Sequence, residues 1–288
     1  MTDDSQALPT DHRGSETHDS AVGGDPSATT SQMTCETQAG VAGGGDSPPS
    51  PPGPGSDPSL EAAGWVELRM FAEMFADAQD YRKAMNNRTR SMTVDSVPLA
   101  EALESVRYSE TKLGLAMKRC FRRVAPEIHA WVKETPGLGE HTFARLVGAI
   151  GHPAIAEPHH WEGEGSDRVL IADPPYLRTL SQLWSYCGVG DPNRKRRKGM
   201  TADEAAQLGN PRAKTMIHII AEGALKQDGK TGKLRSPYRD VYDLHRPTYD
   251  TRDGWTPAHA HNAALRRMKK EILRDLWIVA RQSLPGDR

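Results

Sequence analysis

The stretch PGLGEHTFARLVGAIG (136–151) places two glycines, Gly137 and Gly139, on either side of Leu138 and continues into an amphipathic helical pattern. Glycine adopts backbone conformations that strain other residues, and it lets main-chain amides come close to a ligand. The first amides of the following helix have no partner within that helix, and they carry a partial positive charge. The turn is therefore predicted to bind a phosphate group without reading a base.

Side chains near the turn extend this prediction. Leu138 is expected to point inward and hold two helices together. His141 and Thr142 can add hydrogen-bond donors, and Arg145, one helical turn later, can add positive charge. The layout resembles the helix-hairpin-helix motif, with Phe143 where the usual motif carries alanine. The alternative is an ordinary tight turn between two helices.

A second candidate contact with phosphate is the basic run in DPNRKRRKGM (191–200). It contains five consecutive cations: Arg194, Lys195, Arg196, Arg197 and Lys198. Mutual repulsion keeps such side chains solvated unless an anion is present, and each phosphate that they neutralise releases counterions. The run is predicted to contact nucleic acid, and a solvated loop or a localisation-type patch is the alternative.

Apolar residues recur three or four positions apart on both sides of the turn, which predicts a mainly α fold. An antiparallel, coiled-coil-like helical hairpin is predicted over 61–125. Asn86 and Asn87 are expected to end its first helix, and Pro98 lies near the start of the second. Residues 126–288 are predicted to form an all-α DNA-binding domain that contains the glycine turn.

Within that domain, residues 152–175 predict a loop with a brief strand at VLIA (169–172), and 176–188 predict a helix. Asn210 followed by Pro211 predicts a capped helix start. The chain ends on a long helical pattern with one buried stripe. Five cations are expected to lie largely off that stripe: Arg266, Arg267, Lys269, Lys270 and Arg274.

Composition separates the first 60 residues from the rest. Residues 1–60 contain nine acidic side chains and one basic side chain, Arg13, which gives a net charge of −8. Because the whole chain carries −1, residues 61–288 carry +7, a balance that favours a polyanionic partner. Residues 1–60 offer almost nothing to bury and predict a disordered acidic tail. Such a tail is a solubilising extension or a competitor for the basic surface.

Other features narrow the class of protein. The three cysteines have no metal-binding spacing and are odd in number, which predicts free thiols in a reducing compartment. No signal-peptide pattern opens the chain, and no apolar stretch approaches the ~20 residues that span a bilayer. We therefore expect a cytoplasmic protein with no membrane partner. The histidines lack a clear ligand set, so neither a metal site nor a cofactor is expected.

Five blocks between residues 126 and 281 follow one another in a recognisable order and spacing. They are PGLGEHTFARLVGAIG, RTLSQLWSYCGVG, LGNPRAKTMIHIIAEGALK, SPYRDVYDLHR and HNAALRRMKKEILRDLWIVAR. This order resembles the C-terminal domain of the DEDD-type insertion-sequence transposases, which are relatives of the pilin-inversion recombinases. In that family a coiled coil precedes the domain, which is similar to the pattern over 61–124.

The resemblance implies DNA strand exchange, guided in some branches by a structured RNA. The family's active site joins a four-acid RuvC-like domain, which holds Mg²⁺, to a serine from the C-terminal domain. In this chain the acidic tail stands where the RuvC-like domain is expected. The interval that should hold the serine, 188–210, contains Thr201 as its only hydroxyl side chain. Binding is thus expected without a complete active site.

Three functions remain open at this point. The first is a DNA-binding protein that assists a separate catalytic subunit or regulates a mobile element, with structured RNA and a second copy of the chain as further partners. Mg²⁺ enters this function only with the catalytic subunit. The second is an active transposase or recombinase. The third is a helical interaction scaffold whose turn and cations are structural.

Overall fold

A computed structural model describes residues 58–91, 97–163, 169–194, 197–201, 204–205, 207–230, 232 and 234–284. The predicted acidic tail, 1–60, lies outside these residues except for its last three, which open the first helix. The described part of the chain is mainly helical, as predicted, with eight helices and four short strands. The helices are α1 (Pro58–Arg90), α2 (Val97–Val124), α3 (Pro126–Glu134), α4 (Glu140–Ile150), α5 (Leu180–Tyr186), α6 (Pro211–Leu225), α7 (Pro237–Asp250) and α8 (Pro257–Gln282).

Helices α1 and α2 form the predicted antiparallel hairpin. Arg82 on α1 pairs with Glu110 on α2, and Glu67, a few turns earlier on α1, pairs with Arg123, later on α2. These cross-links run in opposite directions along the two helices, which fixes the antiparallel register.

The prediction that Asn86 and Asn87 end the first helix is wrong. Helix α1 continues through both residues to Arg90. Asparagine costs only a few tenths of a kcal/mol more than a good helix former in a helix interior. Packing against α2 offsets that cost, so α1 does not end at the asparagines.

The region predicted as a loop contains two antiparallel strand pairs. Strand β1 (Ile155–Ala156) pairs with β4 (Tyr176–Leu177), and β2 (His159–Glu162) pairs with β3 (Val169–Ala172). The predicted strand at 169–172 is confirmed. The helix predicted over 176–188 begins only at Leu180, because residues 176–177 belong to β4. Thr179 then caps α5 through a reciprocal pair of hydrogen bonds with Gln182.

Helix α4 crosses the hairpin at very short range. A Cβ atom at Gly148 would lie 2.5 Å from the Cβ of Ala72 and 3.1 Å from the carbonyl oxygen of Leu68, both on α1. Phe143, on the other side of α4, is fully buried and meets Trp131 edge to face, with ring centroids 5.4 Å apart. The base of the hairpin and α4 therefore share one core.

The last helix, α8, supplies another wall of that core. Of the predicted buried stripe, Leu265, Met268, Ile272 and Leu276 are fully buried, whereas Val279 is only partly buried. No helix within the described ranges has both the length and the apolar composition needed to cross a bilayer.

Candidate nucleic-acid interface

Gly137 is required at the turn by its backbone conformation and by close packing. Its φ is 90°, in the left-handed region that favours glycine. A Cβ atom at this position would lie 2.7 Å from the Cα of Ala224 near the end of α6. Leu138 is partly buried against the core, as predicted, and its amide donates to the Thr135 carbonyl at 3.2 Å. This half of the turn is structural.

Gly139 forms the outward half of the turn. It is exposed and precedes α4 in an extended conformation, with φ −98°. A Cβ atom there would meet only the Thr142 hydroxyl, at 3.9 Å. The amides of Thr142 and Phe143 donate to the Gly139 carbonyl at 3.1 and 3.0 Å, and no side chain caps the helix. The amides of Glu140 and His141, the first two of α4, are therefore the ones available to an anion, and the Thr142 hydroxyl lies near Gly139.

Glu140, the first residue of α4, brings a carboxylate to this position, and neighbouring cations neutralise it. Arg122 on α2 donates to both carboxylate oxygens at 2.5 and 3.0 Å, and the His129 ring lies at 3.4 Å. The Arg122 guanidinium holds the pKa of Glu140 below its usual value, with smaller contributions from His129 and Lys118. The turn is therefore not an acidic surface, although a carboxylate adjoins it.

His141 and Arg145 face the hairpin instead of the turn. The His141 ring packs edge to face on Phe75, with centroids 4.8 Å apart, and burial is the main cause that lowers its pKa. The Arg145 guanidinium lies 5.0 Å from the same ring and donates to Gln79 at 3.3 Å. Both side chains join α4 to α1. The sequence predicted that these two side chains help to bind phosphate, but in this structure they pack against α1 instead.

The basic run lies on a loop that is anchored at both ends. Arg194, Arg197 and Lys198 are exposed, whereas Lys195 and Arg196 fall outside the described residues. At the far end of the loop, Gly209 has φ 90°, and a Cβ atom there would lie 2.5 Å from the Ser185 carbonyl oxygen and 2.6 Å from that of Tyr186. At the near end, Val189 is buried and its amide donates to the Trp184 carbonyl at 2.9 Å. Packing therefore fixes both ends of the loop that carries the exposed cations.

A cluster of cations lies at the base of this loop, and sequence analysis missed it. Arg266 is half-buried, and its Nη1 atom is enclosed without a hydrogen-bond partner. Burial is the main cause that lowers the pKa of Lys269 to about 8, and the charges of Arg266 and Lys214 contribute to that shift. Glu222 acts on Lys269 in the opposite sense, as Asp191 does on Arg266. We call Lys214, Arg266 and Lys269 the α6–α8 cation cluster.

As expected, none of the five α8 cations belongs to the fully buried stripe, but Arg266, Lys269 and Lys270 are half-buried beside it. Arg266 and Lys269 are three positions apart on α8, and Lys269 interacts with Glu222 and Lys214 of α6. Lys214 connects the cluster to the loop, because its aliphatic chain lies 2.8 Å from the position of a Cβ at Gly188. The spacing of Arg266 and Lys269 along the sequence could not show that α6 would pack near this part of α8.

The turn and the base of the basic loop lie along the same helix. The turn packs on Ala224 near the end of α6, and the loop packs on Lys214 near its start. These two positions are ten residues apart, which is about 15 Å along the helix axis. The two candidate phosphate contacts are therefore separate sites.

Among the described residues, His261, Cys120 and Cys187 serve packing or hydrogen bonding. His261 bonds the Tyr242 hydroxyl at 2.7 Å through Nδ1. Cys120 and Cys187 are buried free thiols. In the ranges that the structure covers, no three His, Cys, Asp or Glu side chains are grouped as a metal ion would require.

The sequence matches no protein-family model and, at a significant level, no curated protein.

Proposed function

We propose that this chain is a DNA-binding protein of transposase descent that acts in, or regulates, the transposition or recombination of a mobile element. The observation that carries the proposal is the open, uncapped start of α4 at Gly139, beside a carboxylate that Arg122 neutralises. Main-chain amides in this arrangement favour a phosphate oxygen and read no base. The ordered resemblance of five sequence blocks to the transposase C-terminal domain supplies the proposed descent.

The α6–α8 cation cluster and the basic loop support a polyanionic partner independently of the turn. Partly desolvated cations with few counter-charges are costly unless an anion arrives. The separation of about 15 Å corresponds to roughly four nucleotide steps along one strand of a duplex. We propose that one DNA segment contacts the turn and the cluster together. Structured RNA presents the same phosphate chemistry and is a further proposed partner.

Binding without autonomous strand cleavage is the function that these residues favour. Thr201, the hydroxyl residue in the 188–210 interval, is engaged with Glu204. The Thr201 amide donates to the Glu204 carboxylate at 2.8 Å, and the Glu204 amide donates to the Thr201 hydroxyl at 3.2 Å. This reciprocal pairing is a helix-capping arrangement. We therefore propose that a separate subunit supplies catalysis and any Mg²⁺.

A second copy of the chain as a partner and a location on the nucleoid also belong to the proposal. The hairpin of α1 and α2 is the segment through which we propose that two copies of the chain associate. Association with DNA in the cytoplasm would place the protein on the nucleoid.

The test is a titration of salt against the affinity for duplex DNA. Neutralisation of several phosphates makes the affinity fall steeply with salt, with a slope of about −0.9 for each phosphate contacted. Absence of binding at low salt would reject the proposal, and the helical interaction scaffold would be the remaining candidate function. Cleavage of DNA by the purified chain with Mg²⁺ would instead support the active transposase.

A further inference from the structure

A cavity of about 470 Å³ lies beside α5. Residues of β1 and β4 form one side, and α5 and residues 207–209 form the others. The volume is in the range of sites that hold a small ligand. The residue that makes this cavity unusual is Arg178, which is only 7% exposed.

Arg178 is held rigidly, and it forms no ion pair within the described ranges. Glu157, which also lines the cavity and attracts the Arg178 charge, pairs instead with Arg69 at 3.5 Å. The Arg178 amide donates to the Ala154 carbonyl at 2.8 Å, and the Arg178 carbonyl accepts from the Trp277 indole at 2.8 Å. The guanidinium stacks over Tyr186 at 5.1 Å from the ring centroid. Within the described ranges no carboxylate pairs with it, and Nη1 is enclosed without a hydrogen-bond acceptor. A buried donor without a partner is costly, and more so when it is charged.

Two serine hydroxyls line the same cavity. Ser181 and Ser185 are four positions apart and therefore share one face of α5. Neither hydroxyl bonds to another residue in the part of the chain that the structure describes. At the start of α5 the Gln182 amide is already capped by the Thr179 hydroxyl. The guanidinium and the two hydroxyls together form a donor set that suits the oxygens of a phosphate group.

An aromatic side chain stands at the edge of the cavity. Tyr176 on β4 lines it and is 46% exposed. An exposed ring beside a phosphate site offers a stacking surface for any base, because every base has a π face.

We propose that this cavity binds a nucleotide, with its phosphate on Arg178, Ser181 and Ser185 and its base against Tyr176. The phosphate can belong to an unpaired nucleotide of a nucleic-acid strand or to a free nucleotide. The strand form rests on the proposed function, and the free-nucleotide form does not.

The test measures binding of inorganic phosphate, deoxyadenosine monophosphate and a short single-stranded oligonucleotide to the full chain by calorimetry. Ser181→Asp places a carboxylate in the cavity, where it competes with phosphate for Arg178, and Ser181→Asn is the matched neutral control. We expect Ser181→Asp to weaken nucleotide binding by about tenfold or more and Ser181→Asn to weaken it by less. Arg178→Met removes the charge directly. If that variant does not fold, the Ser181 pair still decides the result.

Binding of the monophosphate identifies a free nucleotide as a ligand, and binding of the oligonucleotide alone identifies a strand. If the wild type binds either probe and Ser181→Asp does not, the result supports the site. Failure of all three probes, or equal binding by the wild type and Ser181→Asp, overturns it. Duplex binding through the turn is measured separately with Gly139 variants, so the failure of one proposal is distinguishable from the failure of the other.

Discussion

Arg122 donates two hydrogen bonds, at 2.5 and 3.0 Å, to the carboxylate of Glu140, the first residue of α4. A carboxylate at a helix start is favoured by the helix dipole, but it also repels a phosphate from the same position. The Arg122 pair reconciles these effects, since it cancels the negative charge and leaves the neighbouring amides uncapped.

Arg122→Gln should weaken duplex DNA binding more than the loss of an ordinary surface cation. The substitution removes a positive charge and also leaves the Glu140 carboxylate unpaired beside the turn. Glu140→Gln in the same background should restore much of the affinity. Arg107→Gln, an exposed cation on the same helix, is the control. Fluorescence anisotropy of a labelled duplex measures the affinity, and equal effects of Arg122→Gln and Arg107→Gln would contradict the prediction.

Gly148→Ala should destabilise the fold by roughly 1–3 kcal/mol, because the new methyl group overlaps Ala72 and the Leu68 backbone where α1 crosses α4. Gly64→Ala is the comparison variant, because its Cβ would lie 2.9 Å from a methyl group of the Val124 side chain and would meet no backbone atom. Both changes raise helix propensity equally. Chemical denaturation measures the difference, and equal stability of the two variants would show that the crossing is looser than described.

The hairpin should lose stability in acid through Glu110. The hydrogen bond from Arg82 holds the pKa of Glu110 below its usual value. A lowered folded-state pKa means that the ion pair stabilises the hairpin at neutral pH. This contribution is lost as the pH falls below the ordinary glutamate value and through the lowered one. Glu110→Gln should cost about 1–2 kcal/mol at pH 7 and should flatten the acid dependence of unfolding.

The control for that experiment is Glu104→Gln, because the Glu104–Arg107 pair on α2 is exposed. Exposed pairs contribute little to stability. An acid profile that is the same in the wild type and in Glu110→Gln would rule out this role for the pair.

DNA affinity should fall as the pH rises through about 8, because the pKa of Lys269 lies there in the free protein. Below that value Lys269 is protonated and attracts phosphate, and above it the charge is lost. A bound phosphate should raise the pKa, so binding near pH 8 should take up a proton. Calorimetry in buffers of different ionisation enthalpy measures this uptake. Lys269→Gln should abolish it, and Lys230→Gln, an exposed lysine, should not.

Much of the fold could be predicted from local sequence. Pro126 and Pro136 bracket α3, Asn210–Pro211 caps α6, and the apolar stripe of α8 identifies its buried face. These features depend on residues within a few positions of each other. The end of α1 and the strand β4 could not be predicted in the same way, since packing between distant segments decides both.

The candidate site was less predictable than the fold. Gly139 is exposed at the start of α4 with the Thr142 hydroxyl near it, and this arrangement could be predicted because the turn is a local structure. Arg145 lies four residues after His141, so both project from one face of α4. Only the position of α1 shows that this face is covered. Arg178 has no distinguishing neighbour in the sequence, and its burial arises from Ala154, α5 and α8 meeting around it.

The most direct test of the account replaces Gly139, where the structure leaves room for a side chain. Gly139→Asp should cap α4, because aspartate is a favoured residue at a helix N-cap, and should place a carboxylate over the amides proposed to hold phosphate. Gly139→Asn caps the helix equally well without the charge. The affinity for a duplex is measured at low and moderate salt, with the melting temperature of each variant as a folding control.

The account predicts that Gly139→Asp melts at or above the wild-type temperature and binds DNA about tenfold more weakly or worse, with Gly139→Asn intermediate. Unchanged DNA affinity in a stably folded Gly139→Asp would contradict the claim that this helix start holds phosphate.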